Sequence, residues 1–278
     1  MVLPNFLICG AQKAGTTALY HYLRHHPDVF MSRPKETWFF DKRYDRGLEW
    51  FAKHFEEHDG ESAIGEATAR TMSSPEAPAR IARHIPEARL LFVLRNPIDR
   101  AYSQYHFYVY TGKVQADRSF HEVLWDQRSA FRKDMIQRGM YARQLKRFEK
   151  YFDREQMKII LHRELREQTT ETVQDIYRFL EVDPDVQPET SSRHNVTRYP
   201  DSLELYHWLR QSWHLVRGTM DRWFPNVSNV LRRTTRKMLF SKDKPQMREE
   251  DRSYLQEIYE KPNSRLEEYI NRDLSHWK

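Results

Sequence analysis

A glycine-containing loop near the start of the chain carries the residue types that bind phosphate. Residues 6–9 form an apolar run that predicts a buried strand, and the apolar spacing of residues 18–25 predicts a helix. Gly10, Lys13 and Gly15 lie between the two, and a pair of threonines opens the helix. Backbone N–H groups of such a loop and the positive end of the helix point toward one anion. The pattern predicts a phosphate-binding loop; the alternative is an ordinary strand–helix turn with a solvated lysine.

The position of the lysine separates this loop from the one that binds nucleoside triphosphates. That loop reads G-x-x-x-x-G-K-[ST], with lysine after the second glycine. Here the spacing from Gly10 to Gly15 fits, but Lys13 precedes Gly15 and Thr16 follows it. We therefore expect the lysine to contact a different group of the ligand. Two alternatives stay open: a P-loop-type kinase that uses ATP, and a non-catalytic module that binds a nucleotide or an anionic polymer.

A second charged segment follows the clearest strand of the chain. Residues 88–97 contain a continuous apolar run that ends at Arg95, and the helix after it carries Ser103 and His106. Ligands of open α/β sheets bind outside the carboxyl ends of the strands, so we expect Arg95 to reach the same crevice as the loop. Arg95 and Ser103 could together bind a second phosphate. The alternative partner of Arg95 is Asp99.

Two carboxylates, Glu36 and Asp41, flank three aromatic residues, which is unusual for a solvated loop. One interpretation is a salt-bridged loop whose aromatic rings enter the core. The other is a carboxylate in a partly dry cleft, where it can act as a base. The residues alone do not decide between the two.

Strands and helices alternate along the chain, which predicts an α/β fold with a central parallel sheet flanked by helices. The 278 residues are enough for a full α/β core. We expect a single domain over residues 1–278. Its core would cover about residues 1–200, and residues 201–278 would form a helical extension on the acceptor side that packs back on the domain.

The charge and composition of the chain limit the kinds of binding partner and compartment that we expect for it. The formal net charge is +6, a mild basic excess that fits an anionic ligand and does not indicate nucleic-acid binding. The basic run at residues 232–237 is interpreted as a solvated helix face; the alternative is contact with a membrane surface or an acidic polymer. The chain has a single cysteine and no apolar run of about 20 residues, which predicts a cytoplasmic protein without a transmembrane segment. A trimmed luminal form would look the same.

Three blocks of the chain resemble PAPS-dependent sulfotransferases, in which 3′-phosphoadenosine 5′-phosphosulfate (PAPS) donates a sulfuryl group. Residues 10–17 resemble the loop that binds the 5′-phosphosulfate, and residues 94–103 resemble the block that binds the 3′-phosphate. Residues 35–41 are similar to the acceptor-side segment that contains the catalytic base. The likeness covers most of the chain and points to the heparan-sulfate type and its bacterial relatives.

The resemblance implies a P-loop-like three-layer fold and a metal-independent transfer to a hydroxyl of a carbohydrate, a glycolipid or a small metabolite, with PAP as product. Lys13 would stabilise the leaving phosphate, and Glu36 would take the proton from the acceptor. The residues implied to bind the donor are Lys13, Ala14, Gly15, Thr16, Thr17, Arg95, Ser103, Thr197 and Arg198. The residues implied to bind the acceptor are Glu36, Trp38, Asp41, Arg70 and His106.

The sequence departs from the family pattern at three places. Ala67 stands where several relatives carry a lysine, and Arg70 is the expected replacement for that cation. The late cofactor loop that contains Thr197 and Arg198 lacks the family's glycine. Trp38 stands where some polysaccharide-specific relatives have histidine.

Overall fold

The structure of the chain is a computed structural model that describes residues 1–115, 117–189, 199–200, 240–241 and 246–277. The chain divides into two compact units, which are described separately. The first comprises Met1–Ala101, Ile136–Asn195 and Leu255–Lys278, and the second comprises Tyr102–Met135 and Val196–Tyr254.

A five-stranded parallel sheet forms the centre of the first unit, as predicted. Its strands are β1 (Phe6–Gly10), β2 (Val29–Met31), β3 (Ala63–Ala67), β4 (Arg89–Leu94) and β5 (Met157–Leu161), in the order β2-β3-β1-β4-β5. Every residue of β1 is buried, which explains why this apolar run takes the central place. The chain turns to one side of β1 for β2 and β3 and to the other for β4 and β5. A ligand crevice is therefore expected where β1 and β4 end.

Helices precede and follow the strands along the chain, and those of the first unit flank its sheet. In chain order they are α1 (Thr16–Arg24), α2 (Leu48–Ala52), α3 (Ala77–His84), α4 (Pro97–Tyr110), α5 (Phe120–Trp125), α6 (Ala130–Gln137), α7 (Tyr141–Phe148), α8 (His162–Glu167), α9 (Thr169–Leu180) and α10 (Glu249–Ile270). Two short strands, β6 (Tyr199–Pro200) and β7 (Phe240–Ser241), pair antiparallel. Within the described ranges, no helix is both long enough and apolar enough to cross a bilayer.

The helices of the first unit bury the apolar faces that the sequence predicts. Leu19 and Leu23 of α1 are fully buried, and α1 packs against α9, whose Val173 and Ile176 are also fully buried. At the other end of the chain, Trp277 packs into the same core. The expected single domain, with a core over about residues 1–200 and an extension over residues 201–278, stays a prediction.

One predicted helix is broken in the structure. The apolar spacing of Trp50, Phe51 and Phe55 in the sequence predicts a single helix over residues 44–58. In the structure a 3-10 turn at Tyr44–Arg46 precedes α2, and a second one at Lys53–Phe55 follows it. Gly47 separates the first turn from α2 with a φ of 80°, a left-handed conformation that interrupts the helical hydrogen bonds. The helical prediction for residues 201–239, including the basic run at 232–237, lies outside the described residues.

The second unit contains α5, which begins with a complete capping box. The Ser119 hydroxyl accepts the Glu122 N–H, and the Glu122 carboxylate accepts the Ser119 N–H at 2.7 Å. A buried carboxylate of α10, Asp251, accepts hydrogen bonds from His121 at 2.8 Å and from the Trp125 indole at 2.9 Å. These bonds fix α5 to the start of α10.

Candidate active site

The loop after β1 approaches the segment after β3 so closely that only glycine fits at its start. A Cβ on Gly10 would lie 2.6 Å from the Cβ of Met72 and 2.9 Å from the carbonyl oxygen of Ala69. The next residue, Ala11, donates its N–H to the carbonyl of Val93 at 2.7 Å. The loop therefore leaves the sheet at the carboxyl ends of β1 and β4, where a ligand crevice is expected.

Helix α1 starts directly from this loop without a side-chain cap. Gly15 precedes the helix with a φ of 102°, and no side chain accepts a hydrogen bond from the helix start. The N–H groups of a first helical turn have no acceptor within the helix and carry the positive end of its dipole. Ala14 and Thr16 are buried and Thr17 is half-buried. These loop residues, singled out by the sequence, form a helix start of the kind that can bind an anion, and their contact with a ligand stays a prediction.

Lys13 lies in this loop in a left-handed conformation with a φ of 70°. Burial is the main cause that lowers its pKa, and the positive charges of Arg95, Arg100 and Lys35 add to it, so that the pKa falls from 10.5 to about 8. Like charges gathered around a buried ammonium are unfavourable until an anion joins them. The electrostatics at Lys13 therefore favour a ligand with more than one negative charge.

Arg95 reaches the loop, as predicted from its place at the end of β4. One of its terminal guanidinium nitrogens donates to the carbonyl oxygen of Lys13 at 3.1 Å. The carbonyl oxygen of Arg95 in turn accepts the Tyr141 hydroxyl at 2.8 Å. Tyr141 is 1% exposed, so the backbone of Arg95 is held by a hydrogen bond from a buried side chain. The guanidinium is thus fixed beside the phosphate-binding loop.

Glu36 is held by its two neighbours in the acceptor-side segment. Lys35 Nζ donates to Glu36 Oε1 at 2.6 Å, and the Trp38 indole N–H donates to Glu36 Oε2 at 3.1 Å. The Glu36 side chain remains 28% exposed. Phe39 and Phe40 between the two carboxylates of the segment are buried in the core. The structure therefore agrees with the first interpretation, an ion-paired loop whose phenyl rings enter the core. The role of Glu36 as a base stays a prediction.

Asp41 and Arg70, two predicted acceptor residues, bind one another. Arg70 Nε lies 2.6 Å from Asp41 Oδ2, and only 8% of the Asp41 side chain is exposed. Arg80 donates to the carbonyl oxygens of Phe40 and Asp41, at 3.1 and 3.0 Å. The Asp41 charge is thus balanced within the protein, and the expected role of Arg70 as a replacement cation stays a prediction.

The remaining predicted residues belong to the second unit or fall outside the described residues. Ser103 is buried in α4 and His106 is half-buried in the same helix, and both belong to the second unit. Thr197 and Arg198 lie outside the described residues. Their expected contacts with the donor and the acceptor stay predictions.

Two residues near the loop were not assigned a role from the sequence. Arg100 is fully buried in the first turns of α4 and is hydrogen-bonded to Tyr259. His162, the first residue of α8, packs on the loop, since a Cβ on Gly15 would lie 3.1 Å from its Cδ2. Burial and the charge of Arg95 lower the pKa of His162 to about 4. Both residues could have been found in the sequence, because each lies in the helix that begins just after the carboxyl end of a strand.

Comparison with known proteins matches these features to one family. Residues 3–269 match the family model described as "Sulfotransferase domain". The chain is 41% identical over 110 residues to "Membrane-associated sulfotransferase kil1" of Dictyostelium discoideum, which covers 38% of this chain and 23% of that protein. It is 33% identical over 198 residues to "Bifunctional heparan sulfate N-deacetylase/N-sulfotransferase 4" of Mus musculus, covering 66% of this chain and 23% of that protein. The chain thus spans about a quarter of the length of the curated relatives it matches.

A solved structure supports the same assignment over the whole length. The sulfotransferase from Alicyclobacillus acidocaldarius superposes with a TM-score of 0.75 and 27% sequence identity, covering 100% of this chain and 99% of that one. The likeness confirms the predicted fold class, a parallel sheet flanked by helices.

The comparisons also correct one prediction and settle the family. The cytoplasmic location was wrong, because a relative with 41% identity is named as membrane-associated. Cysteine count and apolar content describe a domain and do not report the compartment in which it works. The match over residues 3–269, the superposition and the lysine-containing loop agree, and the chain belongs to the sulfotransferase family.

Proposed function

We propose that the chain is a PAPS-dependent sulfotransferase. It moves a sulfuryl group from PAPS to a hydroxyl of a carbohydrate, a glycolipid or a small metabolite. The observation that carries the proposal is the place of half-buried Lys13 in the loop after β1, with Arg95, Arg100 and Lys35 near enough to act on its charge. Burial first, and then these three positive charges, bring the pKa of Lys13 to about 8. A donor with a phosphosulfate and a further phosphate would relieve this repulsion.

The loop and the uncapped start of α1 fit the 5′-phosphosulfate of the donor. Backbone N–H groups of Ala14 to Thr17 would bind the phosphate oxygens, and Lys13 would lie beside the bridging oxygen. Arg95, fixed next to the loop, would bind the 3′-phosphate as a charge-assisted donor. That phosphate distinguishes PAPS from ADP and ATP, so the role of Arg95 predicts selectivity for 3′-phosphorylated nucleotides.

The transfer itself needs one base and one cation. The acceptor oxygen forms a bond to sulfur while the bond from sulfur to the bridging oxygen breaks, and the acceptor proton passes to Glu36. The electron pair of the broken bond stays on the phosphate of PAP, where the ammonium of Lys13 stabilises the new charge. Glu36 fits the base because its carboxylate is partly exposed while Lys35 and Trp38 hold its orientation.

Two chemical classes of acceptor group are compatible with the relatives of the chain. The relatives named as heparan sulfate enzymes include N-sulfotransferases, so an amine is a second acceptor class beside a hydroxyl. The same base would serve both, because each loses one proton as the bond to sulfur forms. The Trp38 ring, whose indole N–H contacts Glu36, is partly exposed and would face the acceptor. The guanidinium carbon of Arg43 lies 5.1 Å from the centre of this ring.

Titration calorimetry with PAP, ADP and ATP–Mg²⁺ tests the donor assignment. We expect PAP to bind more tightly than ADP, and Arg95→Ala to remove most of that difference. Arg83→Ala, which removes an exposed arginine of α3, is the matched control and should leave the preference intact. Binding of ATP–Mg²⁺ in preference to PAP would contradict the proposal and support the kinase alternative.

A turnover measurement separates an enzyme from a binding module. Glu36→Gln keeps the shape of the side chain and removes the base. We expect release of PAP from PAPS to fall by about a hundredfold or more, with PAP affinity unchanged. An unchanged rate in this variant would exclude Glu36 as the base.

A further inference from the structure

The end of β3 binds the segment that carries Glu36 through three successive backbone groups. The N–H of Glu36 donates to the carbonyl oxygen of Ala67 at 2.9 Å. The N–H of Thr37 donates to Glu66 Oε1 at 3.2 Å, and the N–H of Trp38 donates to Thr68 Oγ1 at 3.1 Å. Each of residues 36–38 therefore donates its backbone N–H to one of residues 66–68.

The backbone of residues 36–38 adopts a conformation that is unfavourable without support from the surrounding structure. Glu36 has a φ of 66° and Trp38 a φ of 57°, left-handed values that side-chain-bearing residues rarely adopt. Such conformations persist only where the surrounding contacts impose them. The hydrogen bonds to β3 are the contacts that impose them here, and the direction of the Glu36 side chain follows from them.

Glu66 is the centre of the network. Its side chain is buried, and one oxygen, Oε1, accepts three hydrogen bonds. The donors are the Thr37 N–H at 3.2 Å, the Thr37 hydroxyl at 2.9 Å and the Thr68 hydroxyl at 2.5 Å. Burial raises the pKa of Glu66, and the charge of Glu36 raises it further, so the two carboxyl groups lie within electrostatic reach of each other. A buried carboxyl group costs free energy unless its hydrogen bonds are satisfied. Two of the three bonds come from Thr37 in the segment that carries Glu36, and the third comes from Thr68, whose hydroxyl oxygen also accepts the Trp38 N–H.

We propose that Glu66 is a positioning residue for the base: through Thr37 and Thr68 it holds residues 36–38 in the conformation that aims Glu36 at the acceptor. The role rests on the proposed function of Glu36. It assigns no contact between Glu66 and either substrate. The proposal explains why a carboxylic acid occupies a fully enclosed place on an otherwise apolar strand.

The geometry can be tested without any substrate, by crystal structures of the parent chain and of two variants. Glu66→Gln keeps an oxygen that accepts the same three bonds, whereas Glu66→Ala removes the acceptor. We expect Glu36 and Trp38 to keep their left-handed backbone in Glu66→Gln. In Glu66→Ala we expect residues 36–38 to relax and the Glu36 carboxylate to move by about 1 Å or more. An unmoved carboxylate in Glu66→Ala would overturn the proposal.

A kinetic measurement with water as the acceptor adds a functional readout. In hydrolysis of PAPS, the water oxygen forms a bond to sulfur as the bond from sulfur to the bridging oxygen breaks. One water proton passes to Glu36, and the products are PAP and hydrogensulfate, which loses its remaining proton to solvent. We expect Glu66→Ala to lower kcat by about ten- to a hundredfold, with PAP affinity unchanged, since misplacement by about 1 Å costs roughly a hundredfold. Glu66→Gln should recover most of the rate.

Thr37→Val provides a milder variant in case Glu66→Ala does not fold. It removes one hydroxyl donor, and Thr169→Val is its control, since Thr169 donates a bond of 3.0 Å to the carbonyl of Leu165 in another part of the unit. We expect Thr37→Val to slow turnover in the parent chain and to have no further effect in Glu36→Gln, because both act through one group. An equal effect in both backgrounds would mean a purely structural role. If the parent chain does not bind PAP, the proposed function fails, while the crystal structures still decide the role of Glu66.

Discussion

Replacing half-buried Lys13 in the loop after β1 should make the protein more stable as well as inactive. Burial and three neighbouring cations bring the pKa of Lys13 from 10.5 to about 8. Each pKa step is worth about 1.4 kcal/mol, so the charged lysine costs about 3 kcal/mol of unfolding free energy at neutral pH. Lys13→Met removes that cost and keeps an unbranched side chain of similar length. We expect the unfolding free energy of the variant at pH 7 to exceed that of the parent by up to about 3 kcal/mol.

The pH dependence of this difference is the sharper test. Below about pH 8, Lys13 is charged in both the folded and the unfolded chain, and the full cost is present. Between about pH 8 and the ordinary lysine pKa, the unfolded chain binds more protons, so the parent gains stability as pH rises. The advantage of Lys13→Met should therefore fall from about 3 kcal/mol at pH 7 to about 1 kcal/mol at pH 9.5.

Urea denaturation of both proteins at the two pH values measures this difference. Lys150→Met, at an exposed lysine, is the matched control and should change the unfolding free energy by less than about 0.5 kcal/mol at either pH. Saturating PAP should reverse the order, because it stabilises only the parent. A variant that is less stable than the parent at pH 7, or an advantage that does not shrink at high pH, would refute the reasoning.

Two further substitutions test the packing of β3 against β1 and the buried hydrogen bond to the Arg95 backbone. Gly65→Ala would place a methyl group against the ring of Phe6 in the centre of the sheet, and we expect a loss of about 1–3 kcal/mol of unfolding free energy by urea denaturation; an unchanged midpoint would show that the ring can move aside. Tyr141→Phe removes the bond to the Arg95 carbonyl and should cost about 1–2 kcal/mol and weaken PAP binding in calorimetry. Tyr151→Phe, at a tyrosine that is 50% exposed, should do neither, and equal losses in the two variants would contradict the role given to Tyr141.

The local patterns along the chain were sufficient for the architecture and for the core of the site. Continuous apolar runs identify central parallel strands, because such strands are buried on both faces. Gly10, Lys13 and Gly15 lie within one short loop, so their spacing alone places them together. Arg95 could be added because the carboxyl ends of parallel strands meet at one edge of the sheet.

The supports of Glu36 could not be predicted in this way. The bonds of residues 36–38 to Glu66 and Thr68 join segments about 30 residues apart, and no local pattern fixes their register. The break at Gly47 was missed for a related reason, since a glycine in an apolar periodic segment is compatible with a helix until its φ is known.

The sequence by itself therefore determined that the fold has a central parallel sheet, that strands and helices alternate along the chain, and which loop is the candidate phosphate site. These features depend on periodicity and on neighbours along the chain. Only the tertiary structure decided which charges meet. It placed Arg100 and Lys35 close enough to lower the pKa of Lys13, and it paired Asp41 with Arg70. Electrostatic interactions depend on distance in space and on burial, and both are set only when the chain has folded.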